Sequence, residues 1–459
     1  MRQQPALRAS GAHGESPGAA LSADFGDLVR RARRAGVLVV QPRMGFSRPA
    51  QMHAGLQATK NAAATSVGTI TLDSYTRVGE LHRVEDALRA DVDLNGYPIV
   101  NHPAVATRLM LSGIQDPDFP VQVRHGSANP ARIFAALRRT QLSATEGGPV
   151  SYCLPYGRTP LRESVKNWEI CAELFAGSRQ AGVEPHMETF GGCMMGQLCP
   201  PSQLVAISFL EALFFHRHGL RSISVSYAQQ THPEQDREAV LALRKLCADT
   251  FTDVDWHVVV YAYMGVYPES ARGAYLLLAQ AAQLAVATHS ERLIVKTVAE
   301  SRRIPTIAEN VAALEYAAGV AAAAQAAGIA PPVSGDSQIY AEAYALIDTV
   351  LNLHEDIGKA LLLAFERGYL DIPYCVHPDN RGRSRSRIDA DGRLRWSDIG
   401  SLPLGKIVRT GRSPPMTSQE LLAALSYVRV RLDNAAPEME AIARSGPHGA
   451  RHLGPADTY

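Results

Sequence analysis

A recurrence in the sequence limits the folds open to this chain. A short apolar run returns about every thirty to forty residues, and most of these runs end in a polar residue of a reactive type. The clearest copy spans 291–300: Leu293, Ile294 and Val295 read as a buried strand, Lys296 stands at its far end, and Glu300 follows on the loop. Similar runs cover 36–43, ending in Arg43, 67–77, ending in Arg77, and 119–124, ending in Arg124. The series continues with 150–156, with 185–188 ending in Glu188, and with 222–227 and 256–261. Helical patterns separate most neighbours. Eight strands alternating with helices predict an α/β fold, a (β/α)8 TIM barrel, whose catalytic groups sit at the C-terminal ends of the strands.

Bulk properties narrow the partners. The net charge is +1 over 459 residues, so no global field favours nucleic acid or an anionic membrane. No uncharged apolar window is long enough for a membrane span, and the N-terminus carries no apolar signal core; a cytoplasmic protein is expected. The six cysteines are scattered. Cys193 and Cys199 lie close together, but their spacing fits no common zinc pattern, so no metal site is expected and buried reduced thiols are.

Three regions are expected: a mobile arm over 1–22, rich in Ala, Gly, Pro and Ser, a catalytic barrel over 23–330, and a C-terminal helical and irregular extension over 331–459. A helix over 24–34 carries four arginines and stops at Gly36. The crossover between the second and third strands is the longest, with helical patterns near 79–90 and 103–112 around the loop 95–98. Thr159 before Pro160 reads as a helix cap, and Thr306 with Glu309 as a capping box. Further helices are expected near 338–352 and 355–367, and Asp391-Gly392 as a hairpin turn. Arg381, Arg383, Arg385 and Arg387 form a basic run, either an exposed loop or a contact for an acidic partner or a phosphate-bearing cofactor.

The chemistry concentrates at the expected strand ends. Arg43, Arg77 and Arg124 would repel one another at one barrel mouth unless anions lay between them. Guanidinium binds carboxylate bidentately, so a small dicarboxylate suits the trio; a local acidic partner is the ordinary alternative for any single arginine. Glu146 precedes the fourth run and Glu188 ends the fifth. Either could hold an ammonium, and a glutamate so placed could also move a proton. Tyr152 and Tyr156 are hydroxyl donors or plain packing residues. Together these groups fit an acidic α-amino acid. Lys296 could serve as a Schiff-base lysine in a lyase or aldolase, or pair with Glu300 one turn on. No Walker loop, GxGxxG after the first strand, GxSxG elbow or Asp-x-His-x-x-Gly cobalamin motif occurs.

Particular motifs then point to a family. Gln41 to Gly45, Asp73 to Arg77, Leu94 to Pro98, Arg124 to Gly126, Glu146 to Gly148, Pro200 to Ser202, Ile294 to Thr297, Ile304 to Thr306 and Asp371 to Pro373 occur in one order. In these the chain resembles the large (epsilon, or E) subunit of adenosylcobalamin-dependent glutamate mutase, also called methylaspartate mutase. The resemblance implies a (β/α)8 barrel and an isomerase. It implies a radical carbon-skeleton rearrangement of L-glutamate to (2S,3S)-3-methylaspartate. Adenosylcobalamin would lie between the barrel and a separate small cobalamin-binding subunit, two of each forming a heterotetramer. By motif, Arg43, Arg77 and Arg124 resemble the grip on the substrate carboxylates. Glu146 resembles the residue holding the amino group, with a further role as base. Tyr152, Tyr156, Glu188 and Phe190 resemble further substrate-pocket residues. Lys296 and Glu300 resemble the pair at the adenosyl ribose, and Asn95 a cofactor-side contact. The chain departs from the family at Tyr261-Ala262-Tyr263, where His-Gln-Trp is usual, and at Thr189, where proline is usual. These changes touch the pocket region and leave a related amino acid open as the substrate.

Overall fold

A computed structural model describes residues 24–155, 157–193, 198–328, 337–409 and 416–445. Eight strands form one all-parallel sheet: β1 Val39–Gln41, β2 Gly68–Thr71, β3 Val121–Arg124, β4 Ala144–Gly147, β5 His186–Thr189, β6 Ser222–Ala228, β7 Asp255–Tyr261 and β8 Arg292–Ile294. From β2 to β8 each strand pairs with its sequence neighbour, and β1 pairs with β8, Val39 facing Arg292 and Gln41 facing Ile294. A bridge between Val40 and Ser66 joins β1 to the start of β2 and closes the ring. This is the expected (β/α)8 barrel.

The first helix, α1 Phe25–Arg34, begins where Asp24 accepts a hydrogen bond from Asp27 N–H, and it plugs the N-terminal mouth. Its Phe25 is fully buried and stacks on His186 at 4.7 Å. In the crossovers stand α2 Pro49–Lys60, α3 Ser74–Val78, α4 Leu81–Arg89, α5 Ala104–Leu111 and α6 Ala131–Thr140. They continue with α7 Leu161–Ala176, α8 Pro201–Arg217, α9 Pro233–Thr250, α10 Ala271–Ala287 and α11 Ile307–Ala326. The capping box of Thr306 and Glu309 starts α11. The extension holds α12 Gln338–Leu351, α13 Ile357–Arg367, a hairpin of β9 Arg385–Ile388 and β10 Leu394–Asp398 turning at Asp391-Gly392, and α14 Ser418–Ser445. No helix among the described residues is long and apolar enough to cross a membrane. All six cysteines are buried and free.

Three expectations need correction. The fourth strand is Ala144–Gly147, and 151–155 form turns. The apolar Val150 run is held off the sheet by the fully buried Glu211 of α8, whose carboxylate accepts from Val150 N–H at 3.2 Å, Ser151 N–H at 2.9 Å and Ser151 Oγ at 2.9 Å. Arg77 does not end β2; the strand stops at Thr71, Asp73 caps α3 by accepting from Thr76 N–H, and Arg77 rides that helix. Thr159 caps nothing: α7 starts at Leu161, whose N–H is taken at 2.7 Å by Asp379 from the extension. The basic run also has a structural job, since Asp371 accepts from the backbone N–H groups of Gly382, Arg383 and Ser384. The expected arm over 1–22 and the first residues of the expected extension, 331–336, lie outside the described residues.

The barrel interior is polar where such barrels are filled mainly by branched apolar side chains. Gln41 donates to Thr69 at 2.9 Å and to Gln122 at 2.7 Å; Gln122 and Ser224 both donate to Glu188. Arg292 pairs with Glu188 and also donates to Gln41, Ser224 and His257. Burial, reinforced by Arg292, holds His257 well below its ordinary pKa and His186 at about 3, so both rings stay neutral. Arg292 and Glu188 therefore face each other as one compensated pair in a dry layer.

Candidate active site

Above that layer lies a cavity of about 230 Å³, smaller than the roughly 300–1,000 Å³ of pockets for drug-sized ligands. Arg43, Arg77, Arg124, Glu146, Tyr152 and Phe190 line it. They arrive from the C-terminal ends of β1 to β5, the face where barrel enzymes build their sites.

Each arginine is held differently. Arg124, the last residue of β3, is buried, and its Nη2 lies 2.8 Å from Glu146 Oε2. Burial works against its charge, but Glu146 and the groups around it outweigh that cost and raise its pKa well above the ordinary value. Arg77 donates through Nε to Leu72 O at 2.9 Å, which aims the guanidinium without neutralising it. Burial first, then the charges of Arg43 and Arg124, lower its pKa despite the pull of Glu146. Arg43 is partly exposed at the rim, 3.8 Å from Glu300 Oε2.

Glu146 is the one carboxylate in the described lining, and it is nearly saturated with donors. Tyr152 Oη donates to Oε1, while Arg124 and Tyr261 Oη, at 2.9 Å, engage Oε2. Its neighbour Gly147 has φ +140°, and an added Cβ there would lie 2.7 Å from Trp168 Cζ2, so the close approach of Trp168 and Tyr152 requires glycine. Tyr152 packs against Phe190 at 4.9 Å between ring centroids.

The lining also holds polar atoms with no hydrogen-bond partner among the described residues: Arg124 Nη1, His125 Nε2 and Thr71 Oγ1. Burial, with Arg77 nearby, lowers His125 to about 3. Its Nδ1 accepts from Ser127 N–H, so the neutral ring carries its hydrogen on Nε2. Buried polar atoms are normally satisfied; three unmet on one small lining fit a polar ligand.

Lys296 and Glu300 stand beyond β8, their charged ends 3.4 Å apart. Burial, with Arg43 adding to it, pulls Lys296 down to about 8 against the attraction of Glu300. Its ammonium lies over the Tyr267 ring at 5.1 Å. Glu300 thus joins this pair to the arginine trio through Arg43. Tyr267 Oη is buried and has no hydrogen-bond partner among the described residues.

Not every expected residue meets the cavity. Glu188 lies below it in the ion pair with Arg292. Asn95 accepts from Ser74 N–H at 2.9 Å and so closes its loop over α3. Tyr156 lies outside the described residues. Residues passed over as site groups include His125 and Met264 in the lining, Arg292 beneath, Glu211 behind the Tyr152 turn, and Tyr261 between the two glutamates. Three of these carry a signal in the sequence: His125 and Met264 stand inside family motifs, and Tyr261 departs from the family pattern.

The family model of the methylaspartate mutase E chain (MutE) matches residues 21–417. A glutamate mutase epsilon subunit of Yersinia enterocolitica is 28% identical over 391 residues, covering 82% of this chain and 80% of that protein. That of Escherichia coli O157:H7 is 29% identical over 398 residues, covering 83% and 81%. That of Desulfitobacterium hafniense is 29% identical over 406 residues, covering 84% and 82%. The match takes in every strand of the barrel and every residue of the cationic cavity, and the chain belongs to the methylaspartate mutase E chain family.

Proposed function

We propose that this chain is the barrel subunit of an adenosylcobalamin-dependent glutamate mutase that interconverts L-glutamate and (2S,3S)-3-methylaspartate. The observation that carries the reading is the charge pattern of the cavity: three arginines against one carboxylate. An acidic amino acid presents the reverse, two carboxylates and one ammonium. Arg43, Arg77 and Arg124 grip the carboxylates, with Arg124 Nη1 still unmet for that purpose. Glu146 receives the ammonium and serves as the nearest base. Tyr152 and Phe190 wall the pocket, and Tyr156 joins them by motif.

The cofactor side rests on Lys296, Glu300 and Tyr267. Lys296 donates, Glu300 accepts, and Tyr267 Oη is a buried hydroxyl without a partner among the described residues. A ribose diol, which both donates and accepts, matches that donor set, with Asn95 a further contact by motif. When the cofactor is bound, the chemistry it supplies is homolysis of its cobalt–carbon bond, the radical source the rearrangement requires. The chain's own residues hold the fragments in register while the skeleton changes and keep water away from them. A separate small cobalamin-binding subunit completes the enzyme, in a heterotetramer with two copies of each chain.

A second reading, a mutase for a related amino acid, draws on Tyr261, which stands under Glu146. A Lys296 Schiff-base lyase is less well supported, because Lys296 is paired with Glu300 and is not among the described lining residues. The test combines the purified chain, its small cobalamin-binding partner, adenosylcobalamin and L-glutamate. Formation of 3-methylaspartate that needs all four components is the expected result. A complex that assembles yet leaves L-glutamate unchanged favours a related amino acid. Borohydride trapping of Lys296 with substrate would favour the lyase.

A further inference from the structure

Tyr261 ends β7, is fully buried, and does not line the described cavity. Its hydroxyl bonds to two carboxylates: Glu146 Oε2 at 2.9 Å above and Glu188 Oε1 below. A phenol has one hydrogen. Only one glutamate can receive it at a time, and the other must face the oxygen's lone pairs. The charged and titratable groups around this contact are Arg124 from β3, Glu146 from β4 with Tyr152 on its other oxygen and the charge of Arg77 nearby, Glu188 from β5 and Cys193 just beyond β5. Arg292 from β8 acts through Glu188. The Arg124 guanidinium also lies 4.9 Å from the Tyr261 ring centroid, and Phe190 meets the ring edge-on at 5.8 Å, so the ring is clamped. Burial, with Glu146 and Glu188 beside it, raises the phenol's pKa well above its ordinary value despite Arg124, so the hydrogen stays on the ring oxygen.

We propose that Tyr261 is a positioning residue for the amino-group site: its single hydrogen, held between Glu146 and Glu188, fixes the Glu146 carboxylate at the cavity and couples it to the buried Glu188–Arg292 pair. This rests on the reading that Glu146 binds the ammonium of an acidic amino acid. When that ammonium arrives, Glu146 gains a donor and Tyr261 turns its hydrogen to Glu188. The lower carboxylate, already bonded to Arg292, then takes the better bond at the moment the upper one no longer needs it.

The test is the affinity of the full chain for L-glutamate between pH 5 and 9, read by titration calorimetry, with circular dichroism to verify folding. Tyr261→Phe removes the hydrogen that the two carboxylates share. Affinity at pH 7 is expected to fall about tenfold, and the acid limb to move up by about one pH unit. Glu188→Gln, with Tyr261 intact, is expected to move the limb down, since the hydrogen passes to Glu146 and a negative charge is gone. In a Tyr261→Phe background that downward shift should shrink by at least half, which a mere spacer would not produce. A limb unmoved in folded Tyr261→Phe overturns the proposal. If Tyr261→Phe does not fold, 3-fluorotyrosine at position 261, which keeps the ring and strengthens the donor, carries the test, and an unmoved limb there overturns it. Wild-type chain that binds neither L-glutamate nor any other acidic amino acid at any pH overturns the amino-group reading and this proposal together, whereas wild-type binding with an unmoved variant limb overturns this proposal alone.

Discussion

Arg292 and Glu188 form an ion pair in which neither side chain has any exposure, across the middle of a barrel that is usually filled with hydrocarbon. The pair survives because its remaining hydrogen-bonding positions are met by Gln41, Gln122, Ser224, His257 and Tyr261. Removing one partner strands the other charge in a dry layer. Arg292→Met is therefore expected to lose about 3–5 kcal/mol of stability, measured by urea unfolding. A loss within 1 kcal/mol, on the scale of an exposed pair, would contradict the fully desolvated layer.

Arg77→Lys tests the carboxylate grip. Arg77 is aimed through one bond to the Leu72 carbonyl and has no ion pair among the described residues, so its fork is available to a ligand. A lysine keeps the charge but loses the fork. L-Glutamate binding is expected to weaken about tenfold or more while the thermal midpoint stays near wild type. Unchanged binding would remove Arg77 from the clamp.

Lys296 sets a pH dependence of stability. Burial holds it at about 8, against an ordinary value of 10.5. Between those values the unfolded chain binds a proton that the folded chain does not, so stability from this group rises as pH climbs through the window. Below about pH 8 the cost of the buried ammonium is fully present. Lys296→Met is expected to be more stable than wild type at pH 7, on the order of 2 kcal/mol, and the difference should shrink by pH 10. Urea titrations at the two pH values measure it. A constant difference would exclude the lysine as the titrating group.

Glu211 is expected to matter through the Tyr152 turn. Burial raises its carboxyl to about 7, opposed by the bonds from Ser151, Val150 and Gly191. Glu211→Gln keeps an oxygen acceptor for the Val150 and Ser151 N–H groups and should fold normally. Glu211→Ala leaves those groups unmet, at about 1–3 kcal/mol each, and frees the turn that seats Tyr152. Comparing L-glutamate affinity in the two variants separates the effects: loss confined to Ala supports the anchoring role.

The strands were legible wherever an apolar run ended in a polar residue, because burial on both faces leaves just that signature. β4 escaped because Ala144-Thr-Glu-Gly has no apolar run; its sheet position depends on hydrogen bonds to β3 and β5. The Val150 run misled because Glu211, some sixty residues away, takes the N–H groups a strand would have used. Arg43, Arg124, Glu146, Tyr152 and Phe190 were found as motif residues and meet at one cavity. Arg77 meets it too, but from a helix. Glu188 looks like a pocket residue in the sequence because it closes a short apolar run; its neighbours across the barrel decide that it lies beneath. Arg292 gave no signal, since a charge at the start of a strand looks like a surface residue until the opposite wall is known.

Ring closure has a consequence for how the chain comes into being. Gln41 and Arg292, which touch across the closing seam, are 251 residues apart in sequence. The ribosome must deliver nearly the whole barrel before β1 acquires its neighbour on that side, and until then two sheet edges stay open. A translation product truncated before β8 lacks Arg292, Lys296 and Glu300, so it has neither the counter-charge for Glu188 nor the partner for Arg43. Such fragments should be recognised by quality control as aggregation-prone rather than accumulate as half-competent enzyme.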